Sequence, residues 1–91
     1  MYNTLFMSNK LEILKKRLIY RASYRGTKEM DILLSTFVNK YLDTFDESHL
    51  LELETFLNFE DEIIFNFYNY NISKKKIDEN KIAKLIKNFK I

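Results

Sequence analysis

The chain contains no cysteine, no proline and no tryptophan, and its single glycine is Gly26. Without cysteine, disulfides and thiolate metal sites are excluded. The same absence suits a reducing compartment, and the expected home is a bacterial cytoplasm. No apolar run approaches the roughly 20 residues of a membrane span, so no membrane insertion is expected. The opening stretch MYNTLFMSNKLEILKK lacks an uninterrupted apolar segment of the secretory kind, and its acidic Glu12 sits poorly in a transit peptide. Charge of one sign is scarce as well. A formal net charge of +2 argues against a dedicated nucleic-acid binder, whose basic footprint usually shows in the total.

What is present is a soluble globular composition, 46% apolar and 31% charged over 91 residues, enough for one core and one domain. A flexible start is expected at residues 1–8. Apolar positions then recur at helical spacing almost throughout. From Asn9 to Tyr24, Leu11, Leu14, Leu18 and Ala22 share a face. After Gly26, the set Met30, Leu33, Leu34, Phe37, Val38 and Tyr41 forms the most regular apolar stripe. Thr44 and Glu47 have capping-box spacing, predicting a third helix from there that carries Leu50, Leu53 and Leu57 inward. A short helix is predicted from about Glu60. Asp78 is the expected cap of a last helix bearing Ile82, Leu85, Ile86 and Phe89, with Ile77 and Ile82 as a hydrophobic staple. The stretch IIFNFYNYNI, residues 63–72, is aromatic and β-branched like a strand. A lone strand has no partner among helical segments, so helix is expected to about Tyr68 and loop beyond. The fold class is all-α.

Groups able to do chemistry are few. His49 is the only histidine and has no second histidine or cysteine with which to build a relay or metal site. Glu60, Asp61 and Glu62 suit a first helical turn through the helix dipole, without any cation. The lysines of SKKK, residues 73–76, read as a solvated loop. No catalytic residue, metal ligand or cofactor-binding residue is identified.

The arginines are distinctive. Lysines outnumber them twelve to three, a bias that reads as drift toward AT-rich codons, yet Arg17, Arg21 and Arg25 all fall within nine residues at four-residue spacing. On a helix this is a stripe that drifts only about 40° per step. Arginine carries a rigid fork of donors that lysine cannot copy, so the stripe is a candidate docking edge ending at the turn around Gly26. The competing reading is a local surface ion pair between Arg25 and Glu29, worth about 0–1 kcal/mol. The residues alone leave the two readings even.

The stretch RLIYRASYRGTKEMDILLSTF, residues 17–37, closely resembles the small succinate dehydrogenase assembly factors that promote covalent attachment of FAD to the flavoprotein subunit. Their hallmark Arg-Gly-x-x-Glu appears here as Arg25, Gly26, Thr27, Lys28 and Glu29, joining two helices and followed by an apolar run. FLNFEDEIIFNFY, residues 56–68, resembles the family's acidic turn leading into Leu-Phe-x-Trp. Phe67 stands where tryptophan is common, and Glu62 where proline often opens the helix. The resemblance covers roughly residues 9–89. It implies a compact five-helix bundle with no enzyme activity of its own. Such a bundle would bind the flavoprotein subunit of succinate dehydrogenase near its FAD domain, and that of fumarate reductase as a further candidate. It would favour the arrangement in which a histidine of the partner attacks the flavin. FAD would then belong to the partner, and the chain itself would be a monomer. Gly26 would allow the tight turn, with Arg25 and Glu29 projecting from one corner onto the partner and Arg21 and Arg17 at the rim. Two rivals are a small regulator of the toxin-neutralising kind and a helical nucleic-acid-binding module using the arginine stripe.

Overall fold

A computed structural model describes the backbone of residues 2–91 and the side chains of residues 10–91. The side chains of the expected flexible start, residues 1–8, lie outside the described residues. Among the described residues five α-helices follow one another: α1 (Tyr2–Ser23), α2 (Lys28–Tyr41), α3 (Glu47–Leu57), α4 (Asp61–Tyr70) and α5 (Lys81–Lys87). Single 3-10 turns at Leu42–Thr44 and Ile77–Glu79 punctuate the chain. There is no strand among the described residues, and the fold is all-α.

The core gathers the periodic positions. Leu18 and Ala22 of α1 are buried, as are Met30, Leu33, Leu34, Phe37 and Val38 of α2 and Leu50, Leu53, Phe56 and Leu57 of α3. Leu11 and Leu14 pack against its edge. Ile64 and Phe67 of α4 and Ile77, Ile82, Ala83, Ile86 and Phe89 complete it. Each large side chain removed from water contributes about 1.5–3 kcal/mol before ordering costs. Phe37 is central: its ring meets Phe89 edge-on at 5.4 Å and lies 5.1 Å from Tyr41. Tyr68 fixes the end of the chain by donating its hydroxyl to the carbonyl of Phe89 at 2.6 Å.

Helix starts differ from the sequence expectation in two places. The cap of α3 is Asp46, whose carboxylate accepts from the His49 backbone N–H at 2.8 Å. Thr44 instead closes the 3-10 turn by donating to the Tyr41 carbonyl. The cap of α5 is Asn80, not Asp78. Its Oδ1 accepts from the backbone of Ile82 and Ala83 while its Nδ2 donates to the Glu52 carbonyl, so one buried amide caps α5 and ties it to α3. Asp78 accepts from the Ser73 hydroxyl. Ile77 and Ile82 both enter the core, although the cap position removes them from staple geometry. Leu85, expected inside, is 44% exposed. Residues 63–72 are helical to Tyr70, two beyond the expected Tyr68, and stop where Asn71 takes a left-handed φ of 58°.

Candidate functional site

The three arginines do form a line along α1 toward α3, exposed at Arg17 and most buried at Arg25. Arg17 lies 4.0 Å from the Glu54 carboxylate. Arg21 donates to Asn58 Oδ1 at 2.6 Å. Beyond the end of α1, Arg25 reaches the turn between α3 and α4. Positions 17 and 21 on α1 thus meet 54 and 58, so α1 and α3 run parallel and their four-residue spacings coincide.

Arg25 has the densest contacts. Its Nη1 donates to the carbonyl of Leu57 at 2.6 Å, Nη2 to the carbonyl of Phe59 at 2.7 Å, and Nε to Asp61 Oδ1 at 2.8 Å. The carbonyls of Leu57 and Phe59 stand at and just beyond the end of α3, where helix geometry leaves acceptors without intrahelical partners. Asp61 opens α4, where a negative charge is favoured. One guanidinium therefore satisfies the end of one helix and pairs with the start of the next. Its side chain is only 11% exposed, and that of Asp61 is 24% exposed. Arg25 consequently does not project from the corner as expected, and its ion pair is with Asp61 rather than Glu29.

Gly26 has a φ of +120°, a backbone conformation side-chain-bearing residues rarely adopt. A Cβ there would meet nothing within 4 Å. The requirement for glycine inside this chain is conformational, and its surroundings are open. Thr27 then caps α2 by accepting from the Met30 N–H, and Asp31 reaches back to accept from the Arg25 N–H at 2.5 Å. These bonds tie the turn to the start of α2 and leave Glu29 exposed in its first turn. No hydrogen bond or ion pair engages the Glu29 carboxylate among the described residues.

Glu29 borders a groove that the sequence did not reveal. Thr27, Glu29 and Met30 of the turn and α2 face Asp61, Glu62 and Phe65 of α4 across a cleft of about 370 Å³. A smaller cleft of about 170 Å³ shares Glu29, Met30 and Phe65 and extends along α2 and α4 to Leu33 and Tyr68. Glu54, Asn58 and Asp61, which receive the arginines, were likewise missed as a set. Only Asp61 had a signal, the acidic run beginning α4. His49 holds Asp46: its backbone N–H, and then its ring nitrogen at 2.8 Å, keep that carboxyl below the usual carboxylate value. Among the described residues no cluster of acids and histidine could hold a metal ion, and no helix is long and apolar enough to cross a membrane.

The family model for the flavinator of succinate dehydrogenase matches residues 16–90, a span containing the arginine line, the Gly26 turn and the groove. The chain belongs to this flavinator family. A relative named succinate dehydrogenase assembly factor 2, mitochondrial, from the yeast Scheffersomyces stipitis is 38% identical over 80 residues, covering 84% of this chain and 54% of the relative. The 2-B form from Drosophila ananassae is 44% identical over 48 residues, covering 53% of this chain and 29% of that protein. The 2-A form from Drosophila mojavensis is 46% identical over 48 residues, covering 53% and 31%. This flavinator-family chain thus spans about half the length of the first relative and under a third of the other two. No solved structure matches it. The relatives are named mitochondrial proteins of eukaryotes, which overturns the expected bacterial cytoplasmic home. Lack of cysteine removes disulfides from a chain; it does not name a compartment.

Proposed function

We propose that this chain is an assembly factor that binds the flavoprotein subunit of succinate dehydrogenase and promotes its covalent FAD attachment, acting as a non-catalytic chaperone. The observation that carries the reading is the family match across residues 16–90, and the geometry of the RGTKE turn gives it a physical form. Arg25 is a positioning residue whose guanidinium braces the turn against the α3–α4 junction. Gly26 offers bare backbone and Glu29 a carboxylate with no partner among the described residues, the two features of the turn available to another protein. Arg17, whose side chain is 59% exposed, and Arg21 lie at the rim.

The flavin chemistry belongs to the partner. The groove beside Glu29 is walled by Glu29, Glu62 and the Arg25-paired Asp61, and the carboxylates of Glu29 and Glu62 would repel the pyrophosphate of FAD, so these residues do not fit a flavin dinucleotide. What this chain supplies is binding energy. A bound chaperone shifts its partner's conformations only as far as it binds one of them better than another. Glu29 and the Gly26 backbone, held by Arg25 and Thr27, are the groups through which that preference is expressed. The nucleic-acid alternative loses its main support, because Arg25 and Arg21 are already engaged by acceptors of this chain.

The test is direct. Purified flavoprotein subunit is incubated with FAD and this chain, and covalent flavin is read by in-gel fluorescence. The wild-type chain should raise the signal and Glu29→Ala should not. A signal unchanged by the wild-type chain would reject the assignment. The fumarate reductase flavoprotein, run in parallel, reports whether the activity extends to it.

A further inference from the structure

We infer that the groove between α2 and α4 receives a surface segment of the flavoprotein that carries a lysine or arginine next to an apolar side chain; this rests on the functional reading above and extends it to a second helix. The floor and walls differ in kind. Met30 and Leu33 are buried beneath, while Phe65, a large aromatic, remains 37% exposed. Around them stand Glu29 and Glu62, neither with a hydrogen-bond or ion-pair partner among the described residues, and Asp61, whose Oδ1 is taken by Arg25. Unpaired carboxylates beside apolar surface attract a cation more strongly than carboxylates in open water, because the neighbouring groups lower the local dielectric.

The same geometry selects among partners. An acidic or phosphorylated segment would be repelled by the two unpaired carboxylates, Glu29 and Glu62. A purely apolar segment would bury Glu29 and Glu62 without compensation, which is costly. A guanidinium or ammonium satisfies both requirements: its charge meets Glu29 and Glu62, and its stem, or a neighbouring aliphatic residue, covers Phe65. Arginine can also lie over the Phe65 ring. Glu29 would therefore be one edge of a longer contact that continues along α4 through Glu62 and Phe65.

Affinity for the purified flavoprotein subunit, measured with Glu62→Lys, Phe65→Ser and Glu12→Lys chains, tests this. Glu12 lies near the far end of α2, since Lys15, its neighbour at 3.9 Å, also approaches Asp43 at 3.8 Å. Glu62→Lys and Phe65→Ser should each weaken binding about tenfold or more, and salt should weaken the wild-type complex more than the Glu62→Lys complex. Glu12→Lys, the same charge change elsewhere, should stay within about twofold. Melting curves confirm that the variants fold; if Glu62→Lys does not, Glu62→Gln replaces it with the same sign of effect. Wild-type binding with all variants within twofold would overturn the groove and leave the functional reading standing. No wild-type binding would overturn the functional reading, and the groove assignment with it.

Discussion

Asp61 separates two surfaces that use similar residues to opposite ends. On one side, along α1 and α3, Arg21 and Arg25 donate to acceptors of this chain and Arg17 lies beside Glu54. On the other, between α2 and α4, Glu29 and Glu62 face solvent over an apolar floor with no partner among the described residues. The difference teaches that charge in this family member is assigned by satisfaction. Where acceptors are supplied from within, a charged side chain contributes to the fold. Where none is supplied, it remains available for another protein. The RGTKE turn straddles the border, with its arginine on the satisfied side and its glutamate on the other.

The largest effect on folding should come from the satisfied side. Arg25→Ala leaves Asp61 half-buried without its cation and two carbonyls without donors, at a cost of about 2–4 kcal/mol. Urea denaturation measures it, and an unchanged midpoint would erase the distinction between the two surfaces. Arg25→Lys should recover only part of the loss, because an ammonium cannot reproduce three contacts in one plane. Gly26→Ala should cost about 1–3 kcal/mol through its positive φ alone, because a Cβ there meets nothing within 4 Å. A thermal melt equal to wild type would mean the turn relaxes freely. Arg17→Ala, at an exposed 4.0 Å pair, should change stability by less than about 1 kcal/mol. Glu29→Ala should have a similarly small folding effect, about 0.3–1 kcal/mol through the helix dipole, yet this variant should fail to support covalent FAD attachment. Normal flavinylation by Glu29→Ala would break the comparison from the unsatisfied side.

Much of the fold was legible because burial follows periodicity. The stripe from Met30 to Tyr41 named five residues that are buried, and the same reasoning found Leu50, Leu53 and Leu57. Caps were legible only to within two residues. Thr44 and Asp46, and likewise Asp78 and Asn80, are competing local acceptors, and the choice depends on where each 3-10 turn closes. The exposure of Leu85 reflects a short last helix with one face covered. Of the site, the arginine spacing, Gly26 and Glu29 could be read directly. The inward course of Arg25 could not, because its acceptors are two backbone carbonyls and a carboxylate supplied by a different turn. The groove was hidden for the same reason: neither α2 nor α4 carries it alone.

The reach of Arg25 also bears on the order in which the chain folds. Its three side-chain bonds span 32, 34 and 36 residues, so they close a loop containing all of α2 and α3. Closing a loop of that length before its helices dock would cost entropy with little return, whereas packing α2 and α3 beforehand shortens the search. The guanidinium should therefore engage after the folding transition state and act as a latch on the finished bundle. In stopped-flow measurements, Arg25→Ala should accelerate unfolding while leaving the folding rate nearly unchanged. A comparable slowing of folding would move the latch into the nucleus.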